Sequence, residues 1–60
     1  MQLEVKYDRN NHRVIVEDIS SGIVGKIIRV KDDDDAYRIM SSINLEEVAK
    51  RVKEISLHNV

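Results

Sequence analysis

The sequence contains no cysteine, phenylalanine or tryptophan, and its aromatic residues are Tyr7 and Tyr37 alone. Without cysteine, neither a disulfide framework nor a thiolate metal knot can brace the fold, and the absence fits a reducing compartment. The core must be built from Ile, Val, Leu and Met, a set sufficient for folding but poor in the aromatic anchors common at binding hot spots. No apolar run approaches the ~20 residues needed to span a bilayer. The opening residues, MQLEVKYD, alternate instead of forming a positive segment followed by an apolar one. The expectation is a cytoplasmic protein with no membrane segment and no Sec-type signal.

Neither sign of charge dominates: ten Lys or Arg face eleven Asp or Glu, for a net charge of −1. That balance describes an ordinary surface, not one built for polyanions or membranes. Up to Lys31 six bases face four acids, and beyond it four bases face seven acids. At 60 residues the chain is a single domain, 1–60. A domain of this size buries only about 60% of the surface its unfolded chain exposes. Small chains without covalent or metal staples often complete their burial against a partner.

Apolar residues change period partway along. Leu3, Val5 and Tyr7 alternate with Glu4, Lys6 and Asp8, the period of a half-buried strand. Asp8 to His12 reads as a turn, with Asn10 and Asn11 suited to left-handed backbone angles. Arg13 to Ile19 forms a second strand, with Val14 and Val16 on one face and Ile15, Glu17 and Ile19 on the other. Ser20, Ser21 and Gly22 make the next turn. A third strand runs from about Ile23 to Lys31, with Gly25 a candidate bulge. Short connections imply an antiparallel meander in the order 1-2-3.

From Asp32 the four aspartates suit a helix start, where negative charge meets the positive end of the macrodipole. Ala36, Ile39, Met40 and Ile43 follow at helical spacing, which predicts a helix over 34–43. Asn44 and Glu47 have capping-box-like spacing, and Ile43 and Val48 occupy the positions of a hydrophobic staple, so a second helix is expected over 45–56. The fold class is α+β: a three-stranded antiparallel meander followed by two C-terminal helices.

Residues that could carry chemistry do not form a recognisable set. Asp32 to Asp35 lack the glycine turn and distal Glu of a calcium loop, and consecutive carboxylates diverge, so the run reads as a solvated helix start. His12 and His58 have no second ligand at metal spacing. The serines lack a nucleophile-elbow context, and Ser21-Gly22-Ile23-Val24-Gly25 is not a phosphate loop. No catalytic, metal or cofactor residue is assigned, and neither an enzyme nor a small-molecule substrate is expected. Lys6, Arg29 and Lys31 could share one sheet face. Glu4 and Glu17 sit among them without an aromatic platform, which disfavours nucleic acid.

The remaining signal is apolar. If Leu3, Val5, Tyr7, Val14, Val16, Ile28 and Val30 face the helices, then Ile15, Ile19 and Ile27 point the other way. Such a patch suits dimerisation or docking of a protein partner. With Arg29 beside them, these three residues are the expected interface. An alternative reading makes the chain a small acidic inhibitor or nucleic-acid-linked regulator acting through Asp32–Asp35.

Gly25-Lys26-Ile27-Ile28-Arg29, followed by Ala36-Tyr37-Arg38-Ile39-Met40-Ser41-Ser42-Ile43, resembles the core of the bacterial flagellar FlaG family. Leu3 to Asp8 and Val14-Ile15-Val16 are similar to its first two strands. The likeness covers about residues 3–43 and leaves 44–60 outside it. It implies a small antiparallel sheet packed with a C-terminal helix, no cofactor, and a non-catalytic role connected with the flagellar filament. No binding residues carry over from it.

Overall fold

Alternation in the first half of the chain is realised as three strands: β1 (Leu3–Asp8), β2 (Arg13–Asp18) and β3 (Ile23–Arg29). They pair antiparallel in the order β1-β2-β3. Two helices follow, α1 (Asp33–Ser42) and α2 (Leu45–His58). The computed structural model describes residues 1–58. The α+β meander-then-helices architecture read from the sequence is therefore the observed one.

The β1–β2 connection is a single 3-10 turn at Arg9–Asn11. Its left-handed residue is His12, at φ 52°, rather than Asn10 or Asn11. Asn11 serves the turn with its side chain instead, donating to Asp8 Oδ2 at 2.9 Å. His12 closes the turn by donating its N–H to the Arg9 carbonyl at 3.3 Å. Histidine is among the non-glycine residues that tolerate this backbone region. The second turn reaches positive φ at Gly22, at 75°.

Register between β2 and β3 shifts between Val16 and Glu17: Val16 pairs with Lys26, whereas Glu17 pairs with Val24. Gly25 is the extra residue of a bulge, as its lack of a side chain led us to expect. A bulge adds one residue to one strand and so reverses the alternation beyond it. Ile28 faces inward with Val14, and on the far side of Gly25 it is Ile23 that turns inward while Val24 turns out.

Both helices pack on that inner face, α1 against β1 and β2 and α2 against β3. One cluster gathers Val14, Val30 and Ala36, with Val5, Tyr7, Ile39, Met40 and Ile43 around it. The other gathers Val16, Val48 and Val52, with Leu3, Val5, Ile23 and Ile43. Val5 and Ile43 belong to both and join them. Burying a side chain of this kind fully is worth about 1.5–3 kcal/mol.

Helix starts follow the polar pattern. Asp32 caps α1 by accepting the Asp35 N–H at 2.8 Å, and Asp35 in return accepts the Lys31 N–H at 3.0 Å. Ile43 leaves the helix in an extended conformation. Asn44 Oδ1 then accepts the N–H groups of Glu46 at 3.1 Å and Glu47 at 3.3 Å, restarting the chain as α2. The break occurs where the apolar stripe changes side.

α2 approaches the sheet most closely at Gly25. A Cβ at that position would lie 2.7 Å from Val48 Cγ1 and 2.8 Å from Val52 Cγ2. Valine has little χ1 freedom on a helix, so neither methyl can swing away cheaply. Gly25→Ala is expected to destabilise the fold by about 1–3 kcal/mol through overpacking. Urea denaturation measures it; a variant as stable as wild type would mean that α2 does not rest on β3 as described.

Candidate contact surface

The outer face of the sheet carries neither helix. Cross-strand register arranges it in three rows: Asp8, Arg13 and Arg29; Lys6, Ile15 and Ile27; and Glu4, Glu17 and Val24. Ile15 and Ile27 are direct cross-strand partners, the first half-buried by its neighbours and the second 53% exposed. Val24 extends the apolar strip along β3 and is 40% exposed. Sequence alternation alone misses Val24, because without the bulge its parity would place it with Ile28 on the inner face.

Ile19 stands apart from the strip. The second strand ends at Asp18, so Ile19 belongs to the connection, 44% exposed. Its N–H still donates to the Gln2 carbonyl at 2.8 Å, extending the β1–β2 ladder by one bond. Arg29 is exposed opposite Arg13. The like charges are eased because Arg13 turns to Asp8, with Nε 2.9 Å from Oδ2.

Charge on this face is locally compensated. Lys6 Nζ donates to Glu17 Oε1 at 2.8 Å across the strands, and that bond holds the ammonium pKa above its ordinary value. Glu4 lies opposite Glu17, a like-charged pair. Beyond β3 the face continues into an open groove of about 590 Å³ between that strand and α2. Val24, Lys26, Ile27, Val48, Arg51 and Ile55 are among its lining residues.

The acidic run is spread over separate tasks. Asp32 caps α1, Asp33 accepts the Tyr7 hydroxyl at 2.7 Å and pairs with Arg9 at 3.3 Å, and Asp35 binds the Lys31 N–H and Arg38. Tyr7 also meets Tyr37 edge-on, with ring centroids 6.2 Å apart. The contact with Asp33 raises the Tyr7 pKa. Among the described residues, no group of three or more His, Cys, Asp or Glu is placed to hold a metal ion. His12 and His58 are both exposed. Also among the described residues, no helix is long and apolar enough to cross a membrane.

One polar residue escaped the sequence pattern. Asp18 occupies an inward position of β2 and is only 4% exposed. Its carboxylate accepts the Gln2 N–H at 2.9 Å, the Ser20 hydroxyl at 2.8 Å and the Ser21 hydroxyl at 2.7 Å. A buried carboxylate without a cationic partner is tolerable when donors converge on it in this way. The signal was present as Asp18-Ile19-Ser20-Ser21, an acceptor followed by two hydroxyls in a turn.

No protein-family model matches the chain, and neither a curated protein nor a solved structure matches it.

Asp18 makes the turn sensitive to acid. The Ser21 hydroxyl, then the Gln2 N–H and the Ser20 hydroxyl, favour the charged form and hold its pKa well below the ordinary carboxylate range, although burial opposes them. An unfolded aspartate titrates at about 3.9. Because the folded value is the lower one, this contribution to stability is complete above about pH 5 and is lost as pH falls through the unfolded value toward the folded one. Asp8 and Asp35 are shifted in the same direction and add to the slope. Asp18→Asn should melt below wild type at neutral pH, with the gap closing under about pH 4. Melting curves across that range check it, and a gap independent of pH would contradict the assignment.

Proposed function

We propose that this protein is a non-enzymatic interaction or regulatory module whose contact surface is the outer face of its sheet. It acts in the cytoplasm, associating first with further copies of itself. The observation that carries the reading is the Ile15–Ile27 cross-strand pair, extended by Val24 on a face that neither helix covers. Ile19 and Arg29 lie at the margins of this strip and serve as its rim. Adjacent apolar side chains on an open sheet face are the kind of patch that protein partners cover.

The polar side chains of the acidic run and of the β2–β3 turn support the same reading, because they are committed to structure. Three of the four consecutive aspartates are engaged by the start of α1 and its neighbours, and Asp18 is consumed by a turn. Those engagements also weigh against the acidic run as an inhibitor or a nucleic-acid-linked regulator, since only Asp34 has no described bond. A connection with the bacterial flagellar filament belongs to the proposal through the likeness of residues 3–43 alone. The sheet followed by a helix fits the fold which that likeness implies.

Ile15→Lys places a charge in the centre of the strip without touching the inner core. The variant is expected to stay folded, melting slightly below wild type because the new charge lies opposite Lys6, and to sediment at a lower mean mass than wild type at equal concentration. Equal masses would remove the outer face as an association surface.

A further inference from the structure

The outer edge of β1 carries a pattern that the outer-face reading does not use. Ile19 donates to the Gln2 carbonyl at one end of the sheet, and Val30 donates to the His12 carbonyl at 3.0 Å at another. Backbone groups on an antiparallel strand alternate in direction, so these two bonds fix the ladder. Glu4, Lys6 and Asp8 turn their N–H and C=O groups toward β2. Leu3, Val5 and Tyr7 turn theirs to the open edge. β1 is a terminal strand with unbroken register, whereas the other terminal strand is interrupted by the bulge at Gly25. Bulges commonly protect an edge from pairing, and β1 has none.

We infer that two copies of the chain pair through β1, antiparallel, about a twofold axis at Val5, forming one continuous sheet. In that register Val5 meets the second copy's Val5, and Leu3 meets the second copy's Tyr7. Each of these is a hydrogen-bonded pair, so every outward backbone group of the three residues finds a partner. Glu4 falls opposite the second copy's Lys6, and Lys6 opposite its Glu4, in the closely spaced positions where side chains interact most. A slip of two residues one way sets Glu4 against Glu4, and the other way Lys6 against Lys6. A slip of one residue turns core faces to solvent. Charge and face thus select a single register.

The subunit itself supplies a reason for this pairing. Glu4 stands opposite the like-charged Glu17 and makes no ion pair among the described residues, because Lys6 is bonded to Glu17. The second copy's Lys6 would stand on its other side. Leu3, Val5 and Tyr7 are only half-buried in one subunit and gain cover from the neighbouring strand. An axis perpendicular to the sheet keeps all four helices of the pair on one side. The two outer faces merge on the other, so the edge contact differs from association through Ile15 and adds to it.

Sedimentation equilibrium on the full chain tests the pairing by charge reversal. Glu4→Lys and Lys6→Glu should each weaken dimerisation about tenfold or more, since both cross-strand contacts become repulsive. An equimolar mixture of the two should form a heterodimer, because every facing pair then has opposite charge. Repeating the series in an Ile15→Lys background separates the surfaces: the edge dimer persists there and still responds to Glu4→Lys. Monomeric Ile15→Lys protein at hundreds of micromolar would overturn the edge pairing. So would a Glu4→Lys variant that dimerises like wild type, and this one decides the matter if Lys6→Glu fails to fold. A mixture of folded single variants without a heterodimer would overturn it as well.

Discussion

The close approach of α2 to β3 at Gly25 governs how the helices and the two faces of the sheet are arranged. With Val48 and Val52 lying where a side chain would otherwise stand, the helix settles directly on the backbone of the strand. The same glycine is the extra residue of the bulge, so one position sets both the depth of helix packing and the change of alternation along β3. Ile23 is thereby directed to the core and Val24 to the outside. Because α1 and α2 both serve the inner face, no helix or strand among the described residues covers the outer one.

Electrostatics in this molecule organises local geometry. Asp32 and Asn44 begin the two helices, Asp33 ties β1 to α1 through Tyr7, and Asp18 gathers the donors of the β2–β3 turn. Each interaction satisfies backbone or hydroxyl groups that a domain so small cannot afford to leave without partners. Lys6 and Arg13 settle across-strand charges on the outer face. Glu4 and Arg29 are the exceptions: each faces a like charge in its own sheet and has no ion pair among the described residues.

Much of the architecture was legible in the sequence because two simple signals agreed. Alternation from Leu3 to Asp8 matched β1 residue for residue, and the change of side at Asn44 coincided with a cap and with the break between helices. What was not legible depended on geometry accumulated along the chain. The bulge was foreseen at Gly25, but its consequence for Val24 requires carrying the reversed parity past it. Ile19 was read into β2, whereas Asp18 ends the strand by binding the turn that follows. A buried aspartate looks like any solvated acid until its hydroxyl donors are counted. The left-handed residue fell on His12 because the preceding three residues wound into a 3-10 turn.

The helices close the inner face of this sheet, and the open outer face is the surface we propose for contact between molecules. Methyl-resolved NMR during dilution tests it most directly. The account predicts that the Ile15 and Ile27 methyl signals shift with protein concentration, while those of Val14 and Val16 in the closed core hold their positions. Outer-face signals that stay fixed from the dilute limit to the highest soluble concentration would contradict it.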